Sequence, residues 1–122
     1  MNPAQVVGQI EGGTAQGLGL ALLEEVIVSG GVPRNANFTD YLLPTIADMP
    51  PVRADLVEEP EPLAPYGMKG VGEPPCLSST PAIVAAVRAA TGRDLTRVPL
   101  RPDDLCLDRG VAASGGAPAT RA

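Results

Sequence analysis

The stretch Glu11-Gly12-Gly13-Thr14-Ala15-Gln16-Gly17-Leu18-Gly19-Leu20-Ala21-Leu22-Leu23-Glu24-Glu25 decides how this chain is read. Ala15, Leu18, Leu22 and Val26 recur at spacings of three and four, which is one face of a helix. The pattern predicts a helix over 11–25. Gly12, Gly13, Gly17 and Gly19 oppose it, each costing about 1 kcal/mol relative to Ala in a helix interior. A helix carries that cost where the missing Cβ lets a second backbone or a ligand come close. The prediction is therefore a helix held by tertiary contact rather than by its own propensity.

Outward from this helix the signals are short and broken. Val26, Ile27 and Val28 favour a strand over 25–29 that ends at Gly30-Gly31. Residues 32–51 carry Pro33, Pro44, Pro50 and Pro51 and read as an irregular segment pinned by Phe38, Tyr41, Leu42 and Leu43. Val52, Ala54 and Leu56 alternate with Arg53, Asp55 and Val57, a half-buried strand pattern that the run Glu58-Glu59-Pro60-Glu61-Pro62 ends in a solvated turn. A second helix is expected over 81–91, with Thr80 as N-cap, Pro81 at the first helical position, Arg88 near the negative end and Gly92 as the stop. Residues 95–100 read as an edge strand interrupted by Pro99, and 102–107 as a final helical turn. From Arg109 the chain falls to Gly, Ala, Ser, Pro and Thr without apolar periodicity, so 109–122 is expected to be a disordered tail behind a domain over 1–108. The expected fold class is α+β: an incomplete domain with two main helices and a few short strands.

Composition agrees with an incomplete domain. Of 122 residues 14 are Gly and 14 Pro, about twice the usual share. Only Phe38, Tyr41 and Tyr66 are aromatic, which leaves little bulk with which to fill a core. The absent residues exclude whole chemistries. With no His, the chain cannot by itself supply a Ser-His-Asp relay, a His-activated Cys or a His metal cluster. Two cysteines, Cys76 and Cys106, are too few to ligate zinc or an iron–sulfur cluster and read as free thiols, with a disulfide between them the open alternative. A net charge of −5 without a basic cluster argues against nucleic acid. No apolar run approaches the roughly 20 residues of a membrane span, and Met1-Asn2-Pro3 is no secretory leader. The chain reads as soluble and cytoplasmic.

Two stretches are candidates for chemistry. In Lys69-Gly70-Val71-Gly72-Glu73-Pro74-Pro75 two glycines strip the loop of side chains just before a carboxylate, and Pro74 is expected to push Glu73 into an extended conformation. A glutamate so held, and partly desolvated by an apolar wall, suits a general base. The residues alone leave open an ordinary Gly/Pro turn with a solvated glutamate. In Gly8-Gln9-Ile10-Glu11-Gly12-Gly13 a glutamine amide stands among glycines, read as the approach to the first helix, where backbone N–H groups and a bound group would meet. Tight packing and helix capping remain open there. The spacing matches neither a dinucleotide fingerprint nor a P-loop.

Taken in order, Asn2-Pro3, Gly8-Gln9-Ile10-Glu11-Gly12-Gly13, Gln16-Gly17-Leu18-Gly19 with Glu24-Glu25, and Tyr66-Gly67-Met68-Lys69-Gly70-Val71-Gly72-Glu73-Pro74-Pro75 with its small-residue helix resemble the carboxy-terminal part of the molybdenum-cofactor-binding (large) subunit of the xanthine dehydrogenase and aldehyde oxidase family. Phe38-Thr39-Asp40-Tyr41 and Asp48-Met49-Pro50 are similar to its bacterial xanthine dehydrogenase-like members. The resemblance runs from Asn2 to about Leu107. It implies a molybdenum hydroxylase, an oxidoreductase that places water-derived oxygen on an electrophilic carbon of an N-heteroaromatic or aldehyde substrate. Glu73 would be its catalytic general base. Gln9 would hydrogen-bond the molybdenum–molybdopterin cofactor, of the pterin dinucleotide type, and Gly70, Val71 and Gly72 would form the loop that lets Glu73 reach it. Gly12 and Gly13 are similar to glycines packed beside that site.

The chain departs from the family in length, and no metal ligand lies on it. The resemblance implies that other segments of the molybdenum-binding subunit hold most of the cofactor, that 2Fe-2S and FAD centres sit on partner domains or chains, and that this chain alone is inactive. Purines, N-heteroaromatic acids and aldehydes all remain open as the small-molecule substrate. The alternative is a truncated, catalytically inactive remnant or interaction fragment of such a subunit.

Overall fold

The computed structural model describes residues 2–106; the expected tail over 109–122 and the end of the last helical turn lie outside the described residues. Helix α1 spans Pro3–Leu22. It starts well before the expected residue 11 because Asn2 and Pro3 together form a complete start signal: the Asn2 Oδ1 accepts from the Ala4 N–H at 3.0 Å, and Pro3 occupies a position that needs no donor. It stops short of residue 25 because the Gly19 carbonyl accepts from both the Leu23 and Glu24 N–H groups, at 2.8 Å each. Gly17, Gly19 and Ala21 are its buried positions.

A minimal hairpin follows. Strands β1 (Val28–Ser29) and β2 (Val32–Pro33) pair antiparallel, Val28 with Pro33 and Ser29 with Val32. Gly30 and Gly31 turn the chain with φ of 60° and 76°, both in the left-handed region that a tight two-residue turn demands. The expected strand over 25–29 is cut to two residues because a side chain replaces its ladder. Asn35, 7% exposed, accepts from the Ile27 N–H at 2.9 Å and donates to the Glu25 carbonyl at 2.6 Å. The Arg34 N–H to Ile27 carbonyl bond, 2.8 Å, closes the base.

The other two expected strands do not form. Over 52–57, half-buried Val52 and Ala54 do alternate with exposed Arg53 and Asp55, yet no ladder partner lies alongside among the described residues. Over 95–100 the chain is pinned irregularly instead: Leu95, Pro99 and Leu100 are buried, and the Leu100 N–H donates to the Ala21 carbonyl at 2.7 Å, docking the segment on the last turn of α1. Arg101 pairs with Glu25 beside it. Helix α3, Pro102–Cys106, matches the expected final turn.

Helix α2 spans Pro74–Thr91 and starts seven residues before the expected position. Thr80-Pro81 looks like a start signal by local rules, but Glu73-Pro74-Pro75 supplies one upstream, and Pro81 lies inside the helix, where the Leu77 carbonyl has no N–H to accept from at that position. The end is as read: Gly92, at φ 68°, donates to the Arg88 carbonyl at 2.8 Å.

Helices α1 and α2 meet through glycine. A Cβ at Gly13 would stand 2.7 Å from the Pro75 Cβ, and one at Gly17 would stand 2.5 Å from the Ser79 Cβ and 3.1 Å from the Cys76 carbonyl oxygen. Residues 13 and 17 thus match 75 and 79 in the same order, so the helices run in the same sense across their contact. The tertiary approach inferred from the glycine cost is this one. Beyond it the core is small. Ala21, Leu95 and Leu100, with Pro99 beside them, are the buried apolar side chains among the described residues, while Ile46 and Leu63 are each 95% exposed and Phe38 84%. The mixed α+β class and the shortage of core both agree with the reading of the sequence.

Candidate cofactor-facing site

Glu73 is the N-cap of α2, and its backbone departs from the sequence expectation. It is helical, with φ −89° and ψ −23°, rather than extended. The residue before a proline is biased away from this region by contact with the proline ring. Here the bias is offset because the Glu73 carbonyl accepts from the Cys76 N–H at 2.9 Å and the Leu77 N–H at 3.3 Å, closing the first turn of the helix. Pro74 and Pro75 fill first-turn positions that need no backbone donor and fix their own φ. The stiffening expected of the prolines is therefore present, though in a different conformation.

The Glu73 side chain makes no capping hydrogen bond, unlike Asn2 at the start of α1. It is exposed, so the apolar wall expected beside it is not supplied by the described residues. Space surrounds the loop that carries it: a Cβ added at Gly70 or Gly72 would meet nothing within 4 Å. Val71 is half-buried and, with Gly70, lines an open cleft of about 520 Å³ whose other walls include Pro3, Val6 and Ile10 of α1 and Tyr66. Tyr66, at φ 56°, is a non-glycine residue in the left-handed region, a conformation that costs on the order of 1–3 kcal/mol and is seen mostly where surrounding structure imposes it.

Gln9 is exposed and lies in the second turn of α1, not in a loop leading to a helix. The N–H groups of residues 8–13 are therefore committed to the helix ladder and do not form the open backbone cradle expected there. What remains is the amide of Gln9 and the bare backbone beside it. Gly8 and Gly12 would each accept a Cβ with nothing within 4 Å. Gln9 stands one helical turn before Gly13, which packs on Pro75 and the Cys76 backbone at the start of α2. Gly12 and Gly13 divide: Gly13 is closed by α2, Gly12 is open.

Among the described residues no three His, Cys, Asp or Glu side chains converge as a metal-binding set, and no helix is long and apolar enough to cross a membrane. Cys76 is half-buried in the helix contact and Cys106 exposed, both as free thiols. One residue escaped the sequence reading. Thr80, expected to cap α2, instead donates from its Oγ1 to the Gly17 carbonyl at 2.9 Å. The signal for it was the matched four-residue spacing of Gly13 and Gly17 against Pro75 and Ser79.

Comparison with known proteins bears on this geometry. Residues 1–50 match the family model of the molybdopterin cofactor-binding domain. Over 107 residues the chain is 43% identical to the xanthine dehydrogenase molybdenum-binding subunit of Escherichia coli, covering 86% of this chain and 14% of that protein. The chain belongs to the xanthine dehydrogenase and aldehyde oxidase family. It is similar to part of the molybdenum-binding subunit of that family, and spans about one seventh of the length of the first curated relatives it matches. The aldehyde oxidoreductase of Megalodesulfovibrio gigas is 39% identical over 98 residues, 79% of this chain and 10% of that protein. The crystal structure of quinoline 2-oxidoreductase from Pseudomonas putida superposes with a TM-score of 0.74 at 44% identity, over 80% of this chain and 13% of that one. The crossing of α1 and α2 thus lies in a chain whose fold recurs in a solved family member.

Proposed function

We propose that this chain forms part of a molybdenum hydroxylase in which Glu73 is the catalytic general base and Gln9, Gly70, Val71 and Gly72 border the molybdopterin cofactor. The observation that carries the reading is the state of Glu73: a carboxylate left uncapped at a helix start, on a two-proline first turn, with open backbone at Gly70 and Gly72 beside it. The residues present fit a bulky, hydrogen-bonding group. The loop backbone at Gly70 and Gly72 is open, as is α1 at Gly8 and Gly12, and the exposed Gln9 amide on α1 offers two donors and an acceptor. When bound, the cofactor supplies the redox centre that takes the two electrons released as a substrate C–H becomes C–OH.

The chain's own residues then have distinct tasks. Glu73 Oε accepts a proton as the oxygen nucleophile, derived from water, attacks the electrophilic carbon. Pro74 and Pro75 hold its backbone so that little conformational freedom is lost on reaching the reactive geometry. Gly70 and Gly72 allow the loop backbone to lie against the cofactor, and Val71 lines the same cleft as Val6 and Ile10 of α1. Substrate exclusion of water falls to other segments of the subunit, in keeping with the exposure of Glu73 here.

The same reading assigns the partners: the remainder of the molybdenum-binding subunit, iron–sulfur and FAD components, and a small N-heteroaromatic or aldehyde substrate, in the cytoplasm. The exposed Ile46, Leu63 and Phe38 are surfaces for such a remainder to cover. The test is co-expression with the rest of that subunit, followed by molybdenum quantitation and a hydroxylation assay on the complex. Glu73→Gln is expected to lower turnover by at least about a hundredfold while molybdenum content stays unchanged. Unchanged turnover removes Glu73 from its role, and failure of any complex to form favours an inactive remnant.

A further inference from the structure

We propose that Thr80 is a positioning residue that selects the register of α2 on α1 and so the place of Glu73; this rests on the reading of Glu73 as general base. Packing alone sets that register by shape and not by any directional bond. The depressions at Gly13 and Gly17 lie one helical turn apart on α1, and the groups that fill them, Pro75 and Ser79, lie one turn apart on α2. A slip of one turn would carry Ser79 into the depression now holding Pro75 and Ile83 toward the one now holding Ser79; shape opposes this, but dispersion and apolar contact are not directional and hold the exact register only loosely. Such a slip would move Glu73 by about 5.4 Å.

One contact between the helices is directional. The Thr80 Oγ1 donates to the Gly17 carbonyl at 2.9 Å across 63 residues of sequence, in a half-buried setting. Its neighbour Pro81 takes from α2 the N–H that the Leu77 carbonyl would accept, so α2 is least self-held next to this link. From Thr80 the register reaches Glu73 along a continuous path. The Ser79 Oγ donates to the Pro75 carbonyl at 2.5 Å, and the Glu73 carbonyl closes the first turn onto Cys76 and Leu77. The Glu73 backbone is thus fixed to α2, and α2 to α1, on which Gln9 stands.

The experiment uses the assembled enzyme, with activity normalised to bound molybdenum. Thr80→Val removes the hydroxyl and keeps the branched shape, and the Gly17 carbonyl keeps its place in the α1 ladder, so no buried group is orphaned. The expected result is a fall in kcat per molybdenum of about tenfold or more, with KM within about twofold, a shift in the acid limb of the kcat/KM profile, and recovery in Thr80→Ser. Gly13→Ala, which presses on Pro75 from the other end of the contact, is expected to act in the same direction. A merely structural role would lower molybdenum content and leave kcat per molybdenum and the acid limb where they were; that result in both Thr80→Val and Gly13→Ala overturns the proposal. Glu73→Gln separates the two readings. If it stays active, the assignment of the base fails; if it is inactive while Thr80→Val is normal, only the register inference fails.

Discussion

Replacing Gly17 by Ala sets two known effects of one methyl group against each other. In a helix interior Ala is favoured over Gly by about 1 kcal/mol. Against this, the new Cβ would stand 2.5 Å from the Ser79 Cβ, 3.1 Å from the Cys76 carbonyl oxygen and 3.2 Å from the Thr80 nitrogen. Carbon atoms rest at about 3.5–4.0 Å, so α2 must retreat by roughly 1 Å or more. None of the three neighbours is the free end of a flexible side chain, and Ser79 is itself tied to the Pro75 carbonyl. The retreat would stretch the 2.9 Å bond from Thr80 to the Gly17 carbonyl beyond useful length. Overpacking costs about 1–3 kcal/mol and the lost hydrogen bond about 1 kcal/mol, so after the gain in propensity the substitution destabilises the helix pair by about 1–3 kcal/mol. Gly12→Ala is the matched control, because its Cβ meets nothing within 4 Å and only the propensity gain of up to about 1 kcal/mol applies.

Native-state amide hydrogen exchange reads this without assuming one global transition. Protection of the α1 and α2 amides is expected to fall between about fivefold and about a hundredfold in Gly17→Ala, and to rise up to about fivefold in Gly12→Ala, at 1.4 kcal/mol per tenfold. Equal protection in the two variants, or a rise in Gly17→Ala, would refute the close approach of the helices at Gly17.

Asn35→Ala leaves the Ile27 N–H and the Glu25 carbonyl without their side-chain partner, and is expected to cost about 1–3 kcal/mol, read as faster exchange of the hairpin amides with the α2 amides unchanged. Tyr41 donates to the Glu24 Oε2 at 2.7 Å, and that bond, with desolvation and the nearby carboxylate charge, raises its phenol pKa above the ordinary value. The raised group stabilises the fold fully below the unfolded tyrosine pKa, and the contribution is lost as pH rises through the folded one. Spectrophotometric titration should show Tyr41 ionising late in alkali, and Glu24→Ala should return it toward the ordinary range; a titration unmoved by that substitution would contradict the contact.

What the sequence disclosed follows physical locality. The apolar spacing of Ala15, Leu18 and Leu22 and the cost of four glycines were enough to find α1 and to require a close neighbour. Its true start, at Asn2 and Pro3, was obscured by Gly8, Gly12 and Gly13, which depress helix propensity in the first half. For α2, two start signals compete, and the locally better one loses because the Thr80 hydroxyl is spent on another helix. Residues 52–57 and 95–100 carry strand-like patterns that form no strand, since a ladder needs a partner and a segment's own sequence does not contain one. At the site, the bare loop before Glu73 was legible because Gly and Pro act through their own backbone. The apolar wall was not, because no described residue supplies it.

The glycines divide the molecule into what this chain completes and what it leaves open. At Gly13, Gly17 and Gly67 a Cβ would collide with this chain's own atoms, so the chain itself accounts for those glycines. At Gly8, Gly12, Gly70 and Gly72 it would meet nothing, and none of the four has the positive φ that would require glycine in an open turn, as Gly30 and Gly31 do. At these positions neither a collision within this chain nor a positive φ accounts for the glycine. Two of them lie on α1 and two in the loop that ends at Glu73. Gly8 and Gly12, open in a helix interior, each carry a standing cost of about 1 kcal/mol in this chain. The closed glycines Gly13 and Gly17 and the Thr80 hydroxyl, by contrast, hold α1 against α2.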